Sequence, residues 1–380
     1  MLPKITLVTT TIFDMLALDG YLQAARHYGG EVRIIVIPDR KTDPALFRRV
    51  QQLKRKGDCS PIKLDCPALE EQEMFLNKIG VPGDFIPYDS DNRRNVGFLM
   101  ALAEPVDMLV SVDDDNFVWR TDSFFADHAV VCRGKHLEQV AHAPDGWLNP
   151  CDLLEYPQGQ VLYPRGFPYR HRNANASLDI YESSVDIHLN AGLWLQDPDV
   201  DAISRLAGIV HTTGLKQSPV VLSPATWMPI NTQNTALNSE ALPAYYYIRM
   251  GCSLGGLSLD RFGDILSGYF FQACAASLGG SIRVGTPLVE HRRNAHNLLN
   301  DLTHELGGIL LLEDLADWLT AQSITGSSYI ECYEGLADAL EQQADSFQGW
   351  VWEQGSRDFL VTTAQRMRIW LSACRTLLGK

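Results

Sequence analysis

Val106-Asp107-Met108-Leu109-Val110-Ser111-Val112-Asp113-Asp114-Asp115-Asn116-Phe117 is an apolar run that stops in three consecutive carboxylates. The run has the length and composition of a buried strand, and the triplet marks its end. Alternation along an extended chain points Asp113 and Asp115 to one side and Asp114 to the other. Adjacent anions repel one another, which destabilises a strand end unless a cation sits there. Two carboxylates with phosphate oxygens and water make a hard oxygen shell suited to Mg²⁺ or Mn²⁺. A solvated acidic turn is the alternative, so the rest of the chain decides.

Working upstream, strands and helices alternate. Ile5–Ile12 is β-branched and reads as a strand, followed by a helix over Asp14–Tyr28 closed by Gly29-Gly30. Val32–Ile37 is a second strand, Pro44–Lys56 a basic helix, 57–67 a turn-rich stretch and Leu69–Ile79 a helix. Ile86–Tyr88 reads as a short strand, and Asn92–Ala103 as the helix leading into the acidic strand. This order predicts an α/β fold with a mainly parallel sheet flanked by helices, and ligands at the carboxyl ends of its strands. Thr9, Thr10, Thr11, Asp39 and the acidic triplet fall at such ends. Downstream, Trp147–Asn190 is loop-like, while Pro243–Met250, Phe262–Leu278 and the last seventy residues read as helices, broken near Phe347–Gly349.

The 380 residues carry 46 acidic and 32 basic side chains, a net charge of −14. That field disfavours nonspecific nucleic-acid or anionic-membrane binding. The eight cysteines form no C-x-x-C pair, which argues against a zinc site or disulfide framework and for a reducing, cytoplasmic setting. No apolar stretch is long enough to span a bilayer. Neither G-x-G-x-x-G nor a Walker loop is present, so dinucleotide and P-loop chemistry are disfavoured.

Three further constellations bear on chemistry. Asp91-Asn-Arg93-Arg94-Asn95 opens a helix, where free amides and two arginines suit a diphosphate. Tyr163-Pro-Arg165-Gly-Phe-Pro-Tyr169-Arg170-His171-Arg172 is a dense basic and aromatic segment suited to an anion. Asn190-Ala-Gly192-Leu-Trp194-Leu-Gln-Asp197-Pro-Asp199-Val-Asp201 joins a strand to an acidic turn whose carboxylates are within reach of a site. Asp260 and Asp264 flank a helix start, as caps or as carboxylates beside a substrate.

Arg165-Gly-Phe-Pro-x-x-x-Arg172, Gly192-Leu-Trp-Leu-x-x-Pro198-Asp-x-Asp201-Ala and Pro229-x-x-x-x-Asn234-x-Ala resemble the reversibly glycosylated polypeptide family, which includes UDP-arabinopyranose mutases. Asp264-x-x-x-Gly268-Tyr, Gly285-x-Pro287 and His291 followed by Asn297 keep the same order, so the resemblance spans roughly 109–312. It implies a GT-A-like, Rossmann-like fold that uses UDP-sugars with Mn²⁺ or Mg²⁺. By resemblance, Asp113, Asp114 and Asp115 are the metal and diphosphate motif, with His291 completing the metal shell beside Asp113 and Asp115. Arg165 matches the arginine that becomes glycosylated, and Arg172 a second arginine required for activity. A guanidinium is a poor nucleophile, so a clamp on the departing diphosphate is the other reading of Arg165. The chain departs from the family at Gly263, Ile265 and Leu266, and at Ile230-Asn-Thr-Gln233, where the sugar should sit.

The leading expectation is a metal-dependent glycosyltransferase that uses a UDP-sugar donor and an unidentified acceptor. A UDP-sugar pyranose/furanose mutase is the alternative, and a nonenzymatic nucleotide-sugar-binding protein a second one. Arg165, Arg172, Asp264 and Asp260 are the expected catalytic residues. Thr9, Thr10, Thr11, Asp39, Arg93, Arg94 and the triplet are the expected binding residues. Residues 1–310 are expected to form the catalytic domain and 311–380 a helical extension that covers it or makes a homo-oligomer contact.

Overall fold

The computed structural model describes residues 1–57, 62–172, 177–294 and 297–379. Part of the turn-rich stretch 57–67, with Cys59, lies outside them. Among the described residues eleven strands form one sheet. In chain order they are β1 (Ile5–Thr11), β2 (Val32–Pro38), β3 (Lys63–Asp65), β4 (Met108–Val112), β5 (Asn116–Val118) and β6 (His136–His142). They continue with β7 (Asp179–Val185), β8 (Ile187–Gln196), β9 (Val220–Leu222), β10 (Asn234–Asn238) and β11 (Ser281–His291). The spatial order is β3-β2-β1-β4-β10-β8-β11-β9-β6-β7, with β5 paired to β11.

The first four strands pair in parallel, as the strand–helix alternation predicts. Strand β10 then inserts antiparallel between β4 and β8, while β8 and β11 are again parallel. This mixed pairing has one consequence for function. The carboxyl ends of β1, β2, β4, β8 and β11 and the amino end of β10 all face the same end of the sheet. Thr11, Asp39, Asp113, Asp197, His291 and Gln233 therefore meet there, as ligand placement in open sheets requires.

Helices cover both faces: α1 (Leu18–Tyr28), α2 (Pro44–Lys56), α3 (Leu69–Lys78), α4 (Arg94–Leu102), α5 (Phe124–His128) and α6 (Ala202–Ala207). They are followed by α7 (Gly263–Leu278), α8 (Leu298–Thr320), α9 (Tyr329–Gln343) and α10 (Ser356–Leu378). Helix α2 starts where expected because the Asp43 side chain accepts from Ala45 N–H and Pro44 fixes the first turn. Helix α7 is buried almost all round. It passes so close to the chain before β10 that a Cβ on Gly268 would lie 2.3 Å from the Ile230 carbonyl. None of the helices is long and apolar enough to cross a membrane, among the described residues.

Three sequence expectations fail here, in whole or in part. Pro243–Met250 is a single 3₁₀ turn followed by irregular chain, not a helix. Side chains supply the hydrogen bonds that a helix would have made: Asn92 and Asn95 donate to the Tyr247 carbonyl at 2.7 and 2.9 Å, and Tyr247 N–H donates back to Asn95. Ile86–Tyr88 is a bend rather than a strand. Pro87 interrupts it, and the Tyr88 ring instead stacks with the guanidinium groups of Arg40 and Arg93 at 4.0 and 4.3 Å. Part of the stretch read as loop, 147–190, forms β7 and the start of β8. Helix α8 runs through the expected boundary at 310/311.

Candidate active site

Strand β4 ends at Val112, and the triplet forms a turn closed by Asn116 N–H donating to the Asp113 carbonyl at 3.3 Å. The expected alternation therefore gives way to three carboxylates with separate partners. Asp113 pairs with Arg94 at 2.5 Å, Asp114 accepts from the Thr11 hydroxyl, and Asp115 lies 3.3 Å from His291 Nε2. All three line a cleft of about 250 Å³. Burial pushes Asp113 up to about 6, with Asp115 and Asp264 adding to it against the opposing charge of Arg94. Burial likewise raises Asp114 to about 6, against its Thr11 hydrogen bond and with its two neighbours adding. For His291, burial works downward, but the hydrogen bond and charge of Asp115 prevail and its pKa is raised. Gln233 Oε1 also belongs to the cleft lining and has no partner among the described residues.

Arg94 is buried and turned inward. It donates to Ser111, to the carbonyls of Val112 and Thr232, and to Asp113. It fixes the strand end that carries the triplet, and it lines the cleft. Arg93 points the other way, onto Gln72 and over the Tyr88 ring. It borders a second hollow of about 280 Å³, together with Thr10, Thr11, Phe13, Asp39 and Asp89. Asp39 is held by the backbone amides of Arg40 and Ser90 at 2.7 and 3.2 Å. Thr9 sits one pleat deeper than Thr11, is fully buried and lines neither hollow. The two hollows share Thr10, Asp91 and Asp114.

The opposite wall centres on Arg165. Its guanidinium donates to both oxygens of Asp199 at 3.1 and 3.0 Å, to both oxygens of Asp264 at 3.0 and 2.8 Å, and to the Arg261 carbonyl. All five N–H groups are thereby partnered, the full capacity of the side chain. Burial alone would lower the Arg165 pKa, but the two carboxylates drive it well above its ordinary value. Reciprocally, burial of Asp199 is outweighed by Arg165 and Asn231, which hold it at about 2. Gly166, at φ +85, turns the chain immediately after Arg165.

Two of the expected catalytic residues are not in the cleft. Arg172 pairs with Asp201 at 2.5 Å and stacks on the Tyr169 ring at 3.5 Å. Asp260 is partly exposed, bonded to the next backbone amide, and faces His304 at 3.7 Å. Asp264, one helical turn on, does reach the cleft. The cleft also contains Asp199, Arg261, Arg293 and Tyr247, whose hydroxyl donates to Asp91 at 2.6 Å. Arg261 directly follows Asp260, its only sequence signal, whereas Arg293 lies two positions after His291, whose neighbours the family resemblance places against the phosphates. Several motif residues are architectural instead. A Cβ on Gly192 would lie 2.1 Å from Asn234 Nδ2, which donates to the Pro287 carbonyl at 2.8 Å. Gly192, Asn234 and Pro287 thus bind β8, β10 and β11 to one another.

The chain belongs to the reversibly glycosylated polypeptide family, whose model matches residues 71–374. The match extends beyond the ordered motifs at both ends and takes in α9 and most of α10, so the tail is part of the family's own pattern. No curated protein matches the chain. Among solved structures it is similar to a mycobacterial protein at 12% identity, covering 83% of this chain and 74% of that one with a TM-score of 0.41. It is also similar to M. tuberculosis glucosyl-3-phosphoglycerate synthase at 12% identity, covering 83% and 80%, with a TM-score of 0.36.

Proposed function

We propose that the protein is a GT-A-like enzyme that binds a UDP-sugar across the two joined hollows and transfers its glycosyl group. The observation that carries this is the junction itself. Two compartments meet at Thr10, Asp91 and Asp114: one is lined by Thr11 and Asp39, and the other by the acidic turn with the Arg165 wall facing it. The nucleoside lies against Thr11 and Asp39, the diphosphate crosses the junction, and the sugar faces Asp199 and Asp264.

Among the described residues no three His, Cys, Asp or Glu side chains converge as a ready metal cage. The donor set nevertheless fits a hard cation that draws further oxygens from the diphosphate, since Asp113 and Asp114 are raised by burial and crowding of negative charge. Asp113 and Asp115 would hold Mn²⁺ or Mg²⁺ with His291 beside them, and the bound cation would neutralise charge on the diphosphate. In the transfer, the bond from the anomeric carbon to the diphosphate oxygen breaks with its electron pair staying on that oxygen, while an acceptor hydroxyl oxygen forms the new bond to the anomeric carbon and releases its proton to solvent. Arg261 and Arg293 meet that developing charge. Asp264, oriented by Arg165, accepts a hydrogen bond from a sugar hydroxyl. With every N–H engaged, Arg165 acts as a fixed charge and orienting group, in place of a phosphate fork or a glycosyl acceptor.

Thermal-shift screening of UDP-sugars with Mn²⁺ and with EDTA, followed by product analysis, tests this. Free UDP with a glycosylated acceptor is the expected result. An isomerised UDP-sugar without UDP release would make the enzyme a mutase instead. No stabilisation by any UDP-sugar would end the proposal.

A further inference from the structure

Helix α8 carries two buried carboxylates that the mechanism above leaves unused. Asp301 and Glu305 are 4% and 1% exposed, and a spacing of four puts them on one helix face. They reach the two cleft arginines that are not paired with the cleft's own aspartates. Glu305 Oε1 accepts from Arg261 Nε at 3.0 Å, and its Oε2 accepts from Ala202 N–H at 2.7 Å. Asp301 lies 3.5 Å from Arg261 Nη1 and accepts from Arg293 Nη2 at 3.0 Å. Arg261 holds a left-handed φ of +56, rare for a non-glycine residue. Its carbonyl accepts from Arg165, so α8 is linked through Arg261 to the centre of the wall.

Long cationic side chains beside acidic groups close on them unless another anion holds them away. Asp199, of opposite charge, lines the same cleft as Arg293. We infer that Asp301 and Glu305 are positioning residues that hold Arg261 and Arg293 back on the α8 side, so that the cleft admits a diphosphate. In this arrangement Nη2 of Arg261 and Nη1 of Arg293 have no hydrogen-bond partner among the described residues. The inference rests on reading the cleft as a nucleoside-diphosphate site.

Calorimetric titration with inorganic pyrophosphate, and separately with uridine, tests it on wild type, Glu305→Gln, Arg261→Ala and the double variant. Glu305→Gln should weaken pyrophosphate about tenfold, the usual scale for a group that orients a ligand-binding side chain. Uridine affinity should stay within about twofold. The double variant should bind pyrophosphate no more weakly than Arg261→Ala alone, because the two residues act in series. Asp301→Asn, which leaves the Ala202 contact intact, should show the same split and serves if Glu305→Gln does not fold. Equal losses for both ligands, additive losses, or unchanged pyrophosphate affinity would overturn the inference. If wild type binds neither ligand, the reading of the cleft falls with it, an outcome distinct from wild-type binding that the variants leave untouched.

Discussion

The two walls of the cleft are built on different principles. The acidic wall comes from one strand end, where three adjacent residues turn their carboxylates to separate partners. The arginine wall is assembled from Arg165, Asp199, Arg261 and Asp264, with Asp264 separated from Arg165 by 99 positions. The first wall carries like charges in proximity, which the proposed cation would relieve. The second is already neutralised internally and gains nothing from one. One wall thus has charge left to satisfy, while the other is held in shape by the pairing at its centre.

That contrast can be broken most forcefully at Arg165. Arg165→Ala leaves Asp199 and Asp264 buried without their cation, which should cost about 3–5 kcal/mol of stability in urea unfolding. Arg165→Lys should recover only part of it, for want of the double fork. Unchanged stability would mean that the wall does not depend on this pairing. On the acidic wall the expectation is the reverse: Asp115→Asn should leave folding intact while lowering turnover about a hundredfold or more. Its UDP affinity should no longer respond to Mn²⁺, and retention of that response in the variant would remove Asp115 from the metal role.

Asp39→Ala should cost about tenfold in affinity for the preferred nucleotide over one with another base, the scale of a single charged hydrogen bond. Equal losses for all bases would move recognition elsewhere. A smaller effect follows from pH in metal-free protein. Asp113 and Asp114 titrate near 6 in the folded state against an ordinary value of 3.8. A raised carboxylate means that the folded state binds the proton more tightly, so stability is greatest below the unfolded value and falls as pH rises through about 6. Tm should therefore be higher at pH 5 than at pH 7, and Asp114→Asn should reduce that difference. Asp199, held near 2, contributes in the opposite sense, and its stabilisation is lost only in stronger acid. The smallest change is expected for Asp260→Asn, with kcat/KM within about twofold of wild type, as for a substitution outside the cleft.

The same contrast explains what could be read in the sequence. Strand β4, helix α2 and helix α7 follow from local pattern, caps and apolar continuity, and the triplet was visible because its residues are contiguous. The segment Pro243–Met250 is expected as a helix, although its three tyrosines and Ile248 favour extended chain. The side chains that override it, Asn92 and Asn95, lie about 150 positions away. Arg172 and Asp260 carried the right chemistry but turn to Asp201 and His304, partners that only the folded chain brings near. Asp199 was one of three acidic candidates in one turn, and the packing of Arg165 alone distinguishes it from Asp197 and Asp201.

The segment that carries Arg165 is also fastened from behind. Glu313 accepts from the backbone amides of Tyr169 and Arg170, while Asp314 and Asp317 bind the Arg170 guanidinium. Recombination would feel this as linkage. A chimera that takes residues 163–172 from one family member and 298–320 from another inherits two halves of one charge pattern. Such a hybrid should express poorly unless both pieces travel together, although each sequence is compatible with its own parent.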